Sequence, residues 1–221
     1  MKTVTTNVTF AKVLRKIGIL STLLVMIFSL QSCKKDTVTD PLSTENYKSL
    51  NTGMRKLWAE HMQWTYATVD AYYHNSTGVS AQLNRLLKNQ DDIGNAIIPY
   101  YGTAAGNQLT ALLKDHINKA VPVLSAAQSG NTTALNTALN DWYANAQDIA
   151  DFLSNANPNW DRTDMRHMMK MHIDQTVAYS VDLLNNNYTS AIVKYQDAFD
   201  HMMEMADDLA KGIAKQFPDK F

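Results

Sequence analysis

Residues Leu57–Thr65 read LWAEHMQWT, and this stretch decides the fold. Leu57, Trp58 and Trp64 fall on one face when the residues are placed around an α-helix at 3.6 residues per turn. His61 lies near the centre of that apolar face. The pattern predicts a helix that presents an apolar stripe to the core, with a histidine in the middle of the stripe.

The same arrangement returns twice further along the chain. His116 and His172 each lie at the centre of an apolar helical face, 55 and 56 residues after the preceding histidine. A fixed spacing of this kind indicates internal repeats. We therefore predict three copies of a unit of about 55 to 60 residues, each made of two helices.

Composition and turn residues predict the fold class. Glycine and proline are few, at 8 and 5 residues, and no segment alternates like a strand. We predict an all-α protein, an up-down bundle of six helices arranged as three helical-hairpin repeats. The turn signals that separate the helices are His74–Gly78, Pro99–Gly102, Ser129–Thr132, Asn157–Asn159 and Asn185–Asn187.

The first 32 residues have the pattern of an export signal. Basic residues are followed by an apolar run from Ile17 to Leu30, which is shorter than the ~20 residues of a membrane-spanning helix. The run ends in LQSC (Leu30–Cys33), which resembles a bacterial lipobox. This predicts a lipoprotein signal peptide over 1–32, a lipidated Cys33 with a flexible tether over 33–43, and a helical domain over 44–221. A plain secretory signal and an uncleaved anchor are the alternatives.

A lipid on Cys33 would attach the protein to a membrane of the cell envelope, and we expect the outer membrane or the cell surface. Cys33 is the only cysteine, so no disulfide can form within the chain. The segment before it holds four of the 20 basic residues and no acidic residue, which leaves 16 basic and 21 acidic residues afterwards. This weakly acidic balance without a basic cluster argues against nucleic acid as a partner.

The three central histidines are the candidate site. If they converge, His61, His116 and His172 could bind a transition metal (Zn, Fe, Mn or Cu), with Glu60 completing the ligand set. The residues predicted to orient the rings are Asp92, Asp148, Asp208, Asn89 and Asn145. In the competing interpretation, each histidine is a core residue that hydrogen-bonds within its own hairpin.

Two further groups of residues are candidates for a site, one rich in methionine and one rich in aromatic side chains. The last predicted hairpin is rich in methionine and contains His167, His172 and His201, which fits either soft Cu(I) ligands or an adaptable core. Aromatic residues accompanied by amides could line a cleft for a polar ligand or could belong to the core. These are Trp58, Trp64, Tyr100, Tyr101, Trp142, Tyr143 and Trp160, with Asn89, Asn145 and Asn157.

The sequence contains no glycine-rich phosphate loop, no serine nucleophile elbow and no candidate catalytic cysteine. Three functions remain open. The first is binding of a metal ion or a small polar ligand through the core histidines. The second is a structural or protein-interaction lipoprotein without bound metal, and the third is a metal-dependent enzyme.

Several motifs between residues 54 and 221 resemble an uncharacterised family of bacterial all-helical proteins. They are L-W-x-E-H-x-x-W-T (Leu57–Thr65), P-Y-Y-G (Pro99–Gly102), L-L-x-x-H-I (Leu112–Ile117), W-Y-x-N-A-x-D-I-A (Trp142–Ala150) and the ending Q-F-P (Gln216–Pro218). The resemblance implies a helical fold and supplies no catalytic residue. Some members carry automatic labels such as glycosyltransferase or acetylglutamate kinase. Nucleotide-sugar folds need alternating strands and helices, which this sequence does not predict.

Overall fold

The computed structural model describes residues 40–221, and these residues form a helical bundle without strands. The predicted signal peptide, Cys33 and most of the predicted tether lie outside the described residues. Five long helices follow one another between two single 3₁₀ turns, Pro41–Ser43 and Pro218–Lys220. The helices are α1 (Glu45–His74), α2 (Val79–Ser129), α3 (Thr132–Ala156), α4 (Arg162–Leu184) and α5 (Tyr188–Gln216). The predicted all-helical class is confirmed.

Short polar side chains start three of the helices. Thr44, Asn131 and Asp161 each accept a hydrogen bond from a backbone amide in the first turn of the helix that follows. Such caps satisfy amides that have no partner within the helix. Gly130 ends α2 with a left-handed conformation at φ 67°, which a glycine adopts without steric cost.

The predicted count of six helices is wrong, because the second and third predicted helices form the single element α2. Pro99 does not end the helix, and the only non-helical residue inside α2 is Gly102, at φ 83° and ψ 166°. At this residue α2 folds back on itself. A Cβ atom on Gly94 would lie 1.9 Å from Thr110 Oγ1 and 2.7 Å from the Gly106 carbonyl oxygen. In a straight helix, residues 94 and 106 would be about 18 Å apart.

The predicted arrangement of three separate hairpin repeats also differs from the structure. The two limbs of α2 belong to different helix pairs, since the first limb packs on α1 and the second on α3. Only α4 and α5 form a hairpin of two complete helices. The predicted turn at Pro99–Gly102 is therefore reduced to one non-helical residue, Gly102, between the two limbs of α2.

Hydrogen bonds between distant residues define the two ends of the bundle. At one end, called the base, Asn46 donates to the Lys220 carbonyl at 3.1 Å, and Tyr101 donates to Gln216 at 2.8 Å. At the other end, called the top, His74 Nε2 lies 2.8 Å from the Leu183 carbonyl. Within residues 40–221, no helix combines the length and the apolar composition needed to span a bilayer.

Candidate functional site: a cavity above three histidines

His61, His116 and His172 meet in the middle of the bundle, midway between the base and the top. Each is almost completely buried, with 2 to 3% of its surface exposed. The ring centroids of His61 and His172 are 5.5 Å apart, and those of His116 and His172 are 5.8 Å apart. Three histidines from α1, α2 and α4 thus form one cluster, which we call the histidine cluster.

An asparagine holds His116 in one tautomer. Asn145 donates its amide hydrogens to the Leu112 carbonyl at 3.2 Å and to the Asp115 carboxylate at 3.1 Å, so its oxygen faces the ring. That oxygen lies 2.8 Å from His116 Nδ1. Since an amide oxygen only accepts, Nδ1 carries the proton. His116 Nε2 is then an unprotonated nitrogen, buried and without a hydrogen-bond partner.

His61 is held in the opposite tautomer by Gln90. The Gln90 amide nitrogen donates to the Leu86 carbonyl at 2.8 Å and lies 3.3 Å from His61 Nδ1. Because an amide nitrogen only donates, Nδ1 accepts and the proton of His61 is on Nε2. The cluster therefore contains one ring nitrogen that donates and one, on His116, that is free to accept.

Burial keeps the three rings uncharged. It lowers the pKa of His61 to about 3, with a further decrease from neighbouring His116. Burial also lowers the pKa of His116 to about 4, although Asn145 and Asp115 act in the opposite direction. The pKa of His172 is well below its ordinary value because of burial and the adjacent imidazoles. At neutral pH the rings can accept hydrogen bonds or bind a metal, both of which require the neutral form.

One interhelical hydrogen bond occurs beside each histidine. The backbone carbonyl four residues before each ring accepts a side-chain N–H from another helix segment, at 3.0 to 3.2 Å. The three donor and acceptor pairs are Asn89 with Leu57, Asn145 with Leu112, and His201 with Met168. These bonds fix the height of each helix against its neighbour, and so they place the three rings at the same level.

The predicted carboxylates do not take part in the cluster. Glu60, the proposed fourth metal ligand, is paired with Arg85 at the edge of the bundle. Asp92 forms ion pairs with Lys88 and Arg85, while Asp148 and Asp208 are exposed. A carboxylate is costly to bury without a charged partner, so the neutral amides Asn89, Gln90 and Asn145 occupy the buried positions instead. Asn89 and Asn145 are among the residues predicted from the sequence, whereas Gln90 is not, because no local pattern indicates its burial.

A cavity of about 70 Å³ lies above the cluster, toward the top of the bundle. The three histidines and Trp142 line its floor, and aliphatic side chains from α1, α2, α3 and α4 form its walls. The main wall residues are Val69, Leu83, Leu86, Ile117, Ala120, Val123, Leu124, Leu135 and Val177. A single water needs about 10–15 Å³, so the cavity could hold a molecule larger than water.

The described residues contain no group of three or more His, Cys, Asp or Glu side chains arranged to hold a metal ion. A shell of His61, His116, His172 and Glu60 is therefore absent from this arrangement of the described side chains.

The other two candidate groups belong mainly to the core. Five methionines of the last two helices are buried among apolar side chains, whereas His167 is exposed. Trp58 and Trp142 pack against His61 and His116 with ring centroids 5.5 and 5.2 Å apart. Trp160 lies near the base and donates to the Asp208 carbonyl at 3.2 Å. The aromatic residues therefore do not line one common cleft.

Comparisons with known proteins leave the site to be judged on its own geometry. No protein-family model matches the chain, and neither a curated protein nor a solved structure matches it.

Proposed function

We propose that this protein is a lipid-anchored protein of the cell envelope whose helical bundle binds a small ligand in the cavity above the histidine cluster. The observation that carries this proposal is the cavity itself, with three neutral histidines on its floor. Protein interiors are packed to the density of organic crystals, and voids larger than a water molecule are few. A void beside buried polar rings is therefore a good candidate for a binding site.

Unpartnered polar atoms beside the cavity also support a ligand. His116 Nε2, His172 Nδ1, Trp142 Nε1 and Thr176 Oγ1 are buried and form no hydrogen bond within the described residues. Leaving a buried polar group unpaired costs about 1–3 kcal/mol. Four such atoms on residues that line one cavity support a bound molecule or water that supplies partners after small side-chain movements.

The direct test is to purify the full chain from membranes and identify small molecules that remain bound, by native mass spectrometry. Ala120→Leu should abolish binding, because Ala120 lines the cavity and the larger side chain would fill it. Ala111→Leu is the matched control, since Ala111 is exposed on the same limb of α2. Retention of the same molecule by Ala120→Leu would show that it binds elsewhere.

A transition metal is the second candidate, and the unprotonated, unpartnered Nε2 of His116 is the observation that favours it. Metal binding would require His61 to move its proton to Nδ1 and Gln90 to turn its amide. Elemental analysis of the chain, purified without chelator, tests this candidate. Metal that is present in the wild type and absent from His116→Ala would support it, and it would make hydrolytic and redox assays of a metal-dependent enzyme worthwhile.

A structural or interaction role is what remains if neither ligand nor metal is found. The interhelical hydrogen bonds beside the three rings would then be the main contribution of this region. Replacing the histidines would in that case lower stability without removing any bound molecule.

A further inference from the structure

The residues that line the cavity are spread along the axis of the bundle. The lining extends from His61 to Tyr73 on α1 and from His172 to Val181 on α4. At 1.5 Å per residue these stretches correspond to about 18 Å and about 14 Å along the bundle. A volume of about 70 Å³ distributed over such a length leaves room for a chain-like molecule rather than for a wide ring system.

The cavity reaches the surface at its upper end. Val121 on α2 and Val181 on α4 both line it, and they are 37% and 42% exposed. The opening between these two valines is apolar, while the floor at the opposite end carries the imidazoles. A bound molecule would therefore have an apolar body along the walls and a polar group at the floor.

No described residue that lines the cavity is Asp, Glu, Lys or Arg. The histidines are uncharged as well, so an ionised ligand group would find no compensating charge. Burying such a group costs far more free energy than burying a neutral one. The floor is therefore suited to an uncharged head group.

Three hydroxyl groups of the walls are already occupied, whereas Thr176 Oγ1 is buried without a hydrogen-bond partner. Thr65, Thr68 and Ser180 each donate to a backbone carbonyl of their own helix, at 2.6 to 2.7 Å. The imidazoles, the Thr176 hydroxyl and the Trp142 indole N–H are left as unpartnered hydrogen-bonding groups near the floor. His61 has a proton on Nε2, and His116 Nε2 lacks a donor, so together they match a head group that both accepts and donates.

We propose that the cavity holds an unbranched alkyl chain with an uncharged hydroxyl-type head group, with the head at the histidine cluster and the chain directed to the opening between Val121 and Val181. This inference rests on the proposed ligand-binding function and specifies the chemical class of the ligand. Fatty alcohols and protonated fatty acids both have this chemistry.

The test uses the full chain in phospholipid nanodiscs and measures its melting temperature with 1-hexanol, hexane, hexanoate at pH 7.5 and cyclohexanol. A ligand that binds only the folded state raises the melting temperature. We expect 1-hexanol to raise it most, hexane and cyclohexanol less, and hexanoate not at all. From 1-butanol to 1-hexanol, affinity should rise about fourfold per methylene group, which corresponds to about 0.8 kcal/mol.

Ala120→Leu and Ala111→Leu separate binding in the cavity from effects on the lipid. The response to 1-hexanol should be lost in Ala120→Leu and kept in Ala111→Leu. An equal response to cyclohexanol would overturn the unbranched chain, and an equal response to hexane would overturn the head group. A response that is identical in both variants would overturn the alkyl-chain inference as a whole. The proposed function would still be decided separately, by whether a molecule co-purifies with the chain and is lost in Ala120→Leu.

Discussion

At the residue scale, Asn145 connects the fold to the chemistry of the site. Its amide binds the Leu112 carbonyl and its oxygen binds His116 Nδ1, so one side chain both aligns two helix segments and sets a tautomer. Asn89 forms the corresponding interhelical bond beside His61, but there the ring contact comes from the next residue, Gln90. The two rings consequently differ in which nitrogen carries the proton.

We expect Asn145→Ala to lower the free energy of unfolding by about 1–3 kcal/mol, because His116 Nδ1–H would be buried without a partner. Urea denaturation monitored by circular dichroism measures this change. Asn140→Ala is the matched control, since Asn140 is exposed on the same helix and its replacement should change stability by less than about 0.5 kcal/mol. Equal stability of the two variants would contradict the role given to Asn145.

Stability should fall in mild acid because of the histidine cluster. In the unfolded chain a histidine has a pKa near 6.5, whereas in the folded protein the pKa is about 4 for His116 and about 3 for His61. Below pH 6.5 the unfolded state therefore binds more protons than the folded state, and the free energy of unfolding decreases as pH falls toward the folded pKa values. The full contribution is present above pH 6.5.

Between pH 7.5 and pH 5, we expect a loss on the order of 2 kcal/mol per buried histidine. Urea denaturation at both pH values measures it, and His116→Gln should reduce the pH-dependent loss. His167→Gln is the control for removing an imidazole as such, since His167 is exposed on α4. A pH dependence that is the same in His116→Gln as in the wild type would contradict this assignment.

At the element scale, α2 determines how the rest of the bundle is arranged. Its two limbs cross closely because Gly94 and Gly106 have no side chains at the contact. The reversal at Gly102 requires φ 83°, a conformation that glycine adopts far more readily than other residues. The first limb of α2 carries Gln90, which contacts His61, and the second limb carries His116 itself.

We expect Gly94→Ala to destabilise the protein by about 1–3 kcal/mol or more, since the added Cβ would overlap Thr110 and the Gly106 carbonyl. Gly53→Ala is the matched control within α1, because nothing lies within 4 Å of its added Cβ. Replacing a glycine inside a helix by alanine stabilises it by roughly 0.5–1 kcal/mol. Thermal unfolding of both variants should therefore show melting temperatures that change in opposite directions.

At the scale of the whole molecule, the helices alternate in direction, so that the first described helix begins and the last one ends at the base. The opening of the cavity is toward the top, beyond the level of His61, and α1 rises about 24 Å from its start at the base to His61. A lipid anchor on Cys33 would precede α1, which begins at the base. Ligand access would then be at the opposite end of the bundle from the start of α1.

Replacing the predicted lipidation site tests the proposed location. Cys33→Ser should remove the lipid from the N-terminal peptide, because the residue predicted to carry the lipid is lost. Detergent phase partitioning and mass spectrometry of the N-terminal peptide measure the change. Ser32→Ala is the neighbouring control and should leave lipid attachment in place. A wild-type N-terminal peptide without lipid would contradict the lipoprotein prediction.

The sequence by itself determined the helical class and the position of each histidine on its helix, because a period of 3.6 residues is a local property of the chain. It also named Asn89 and Asn145 among the residues that could orient the rings, together with three aspartates that the structure places elsewhere. It did not determine that α2 continues through Pro99, since a proline lowers the stability of a helix without deciding the balance of tertiary contacts on either side.

Only the tertiary structure decided that the three rings touch and that a cavity lies above them. Residues 55 or more positions apart meet according to how the helices cross, and here the glycine contacts of α2 and the interhelical hydrogen bonds set that crossing. Tertiary packing likewise placed neutral amides, rather than the predicted aspartates, beside the rings. A void is the space that packed side chains leave between them, and therefore no pattern along one helix can predict it.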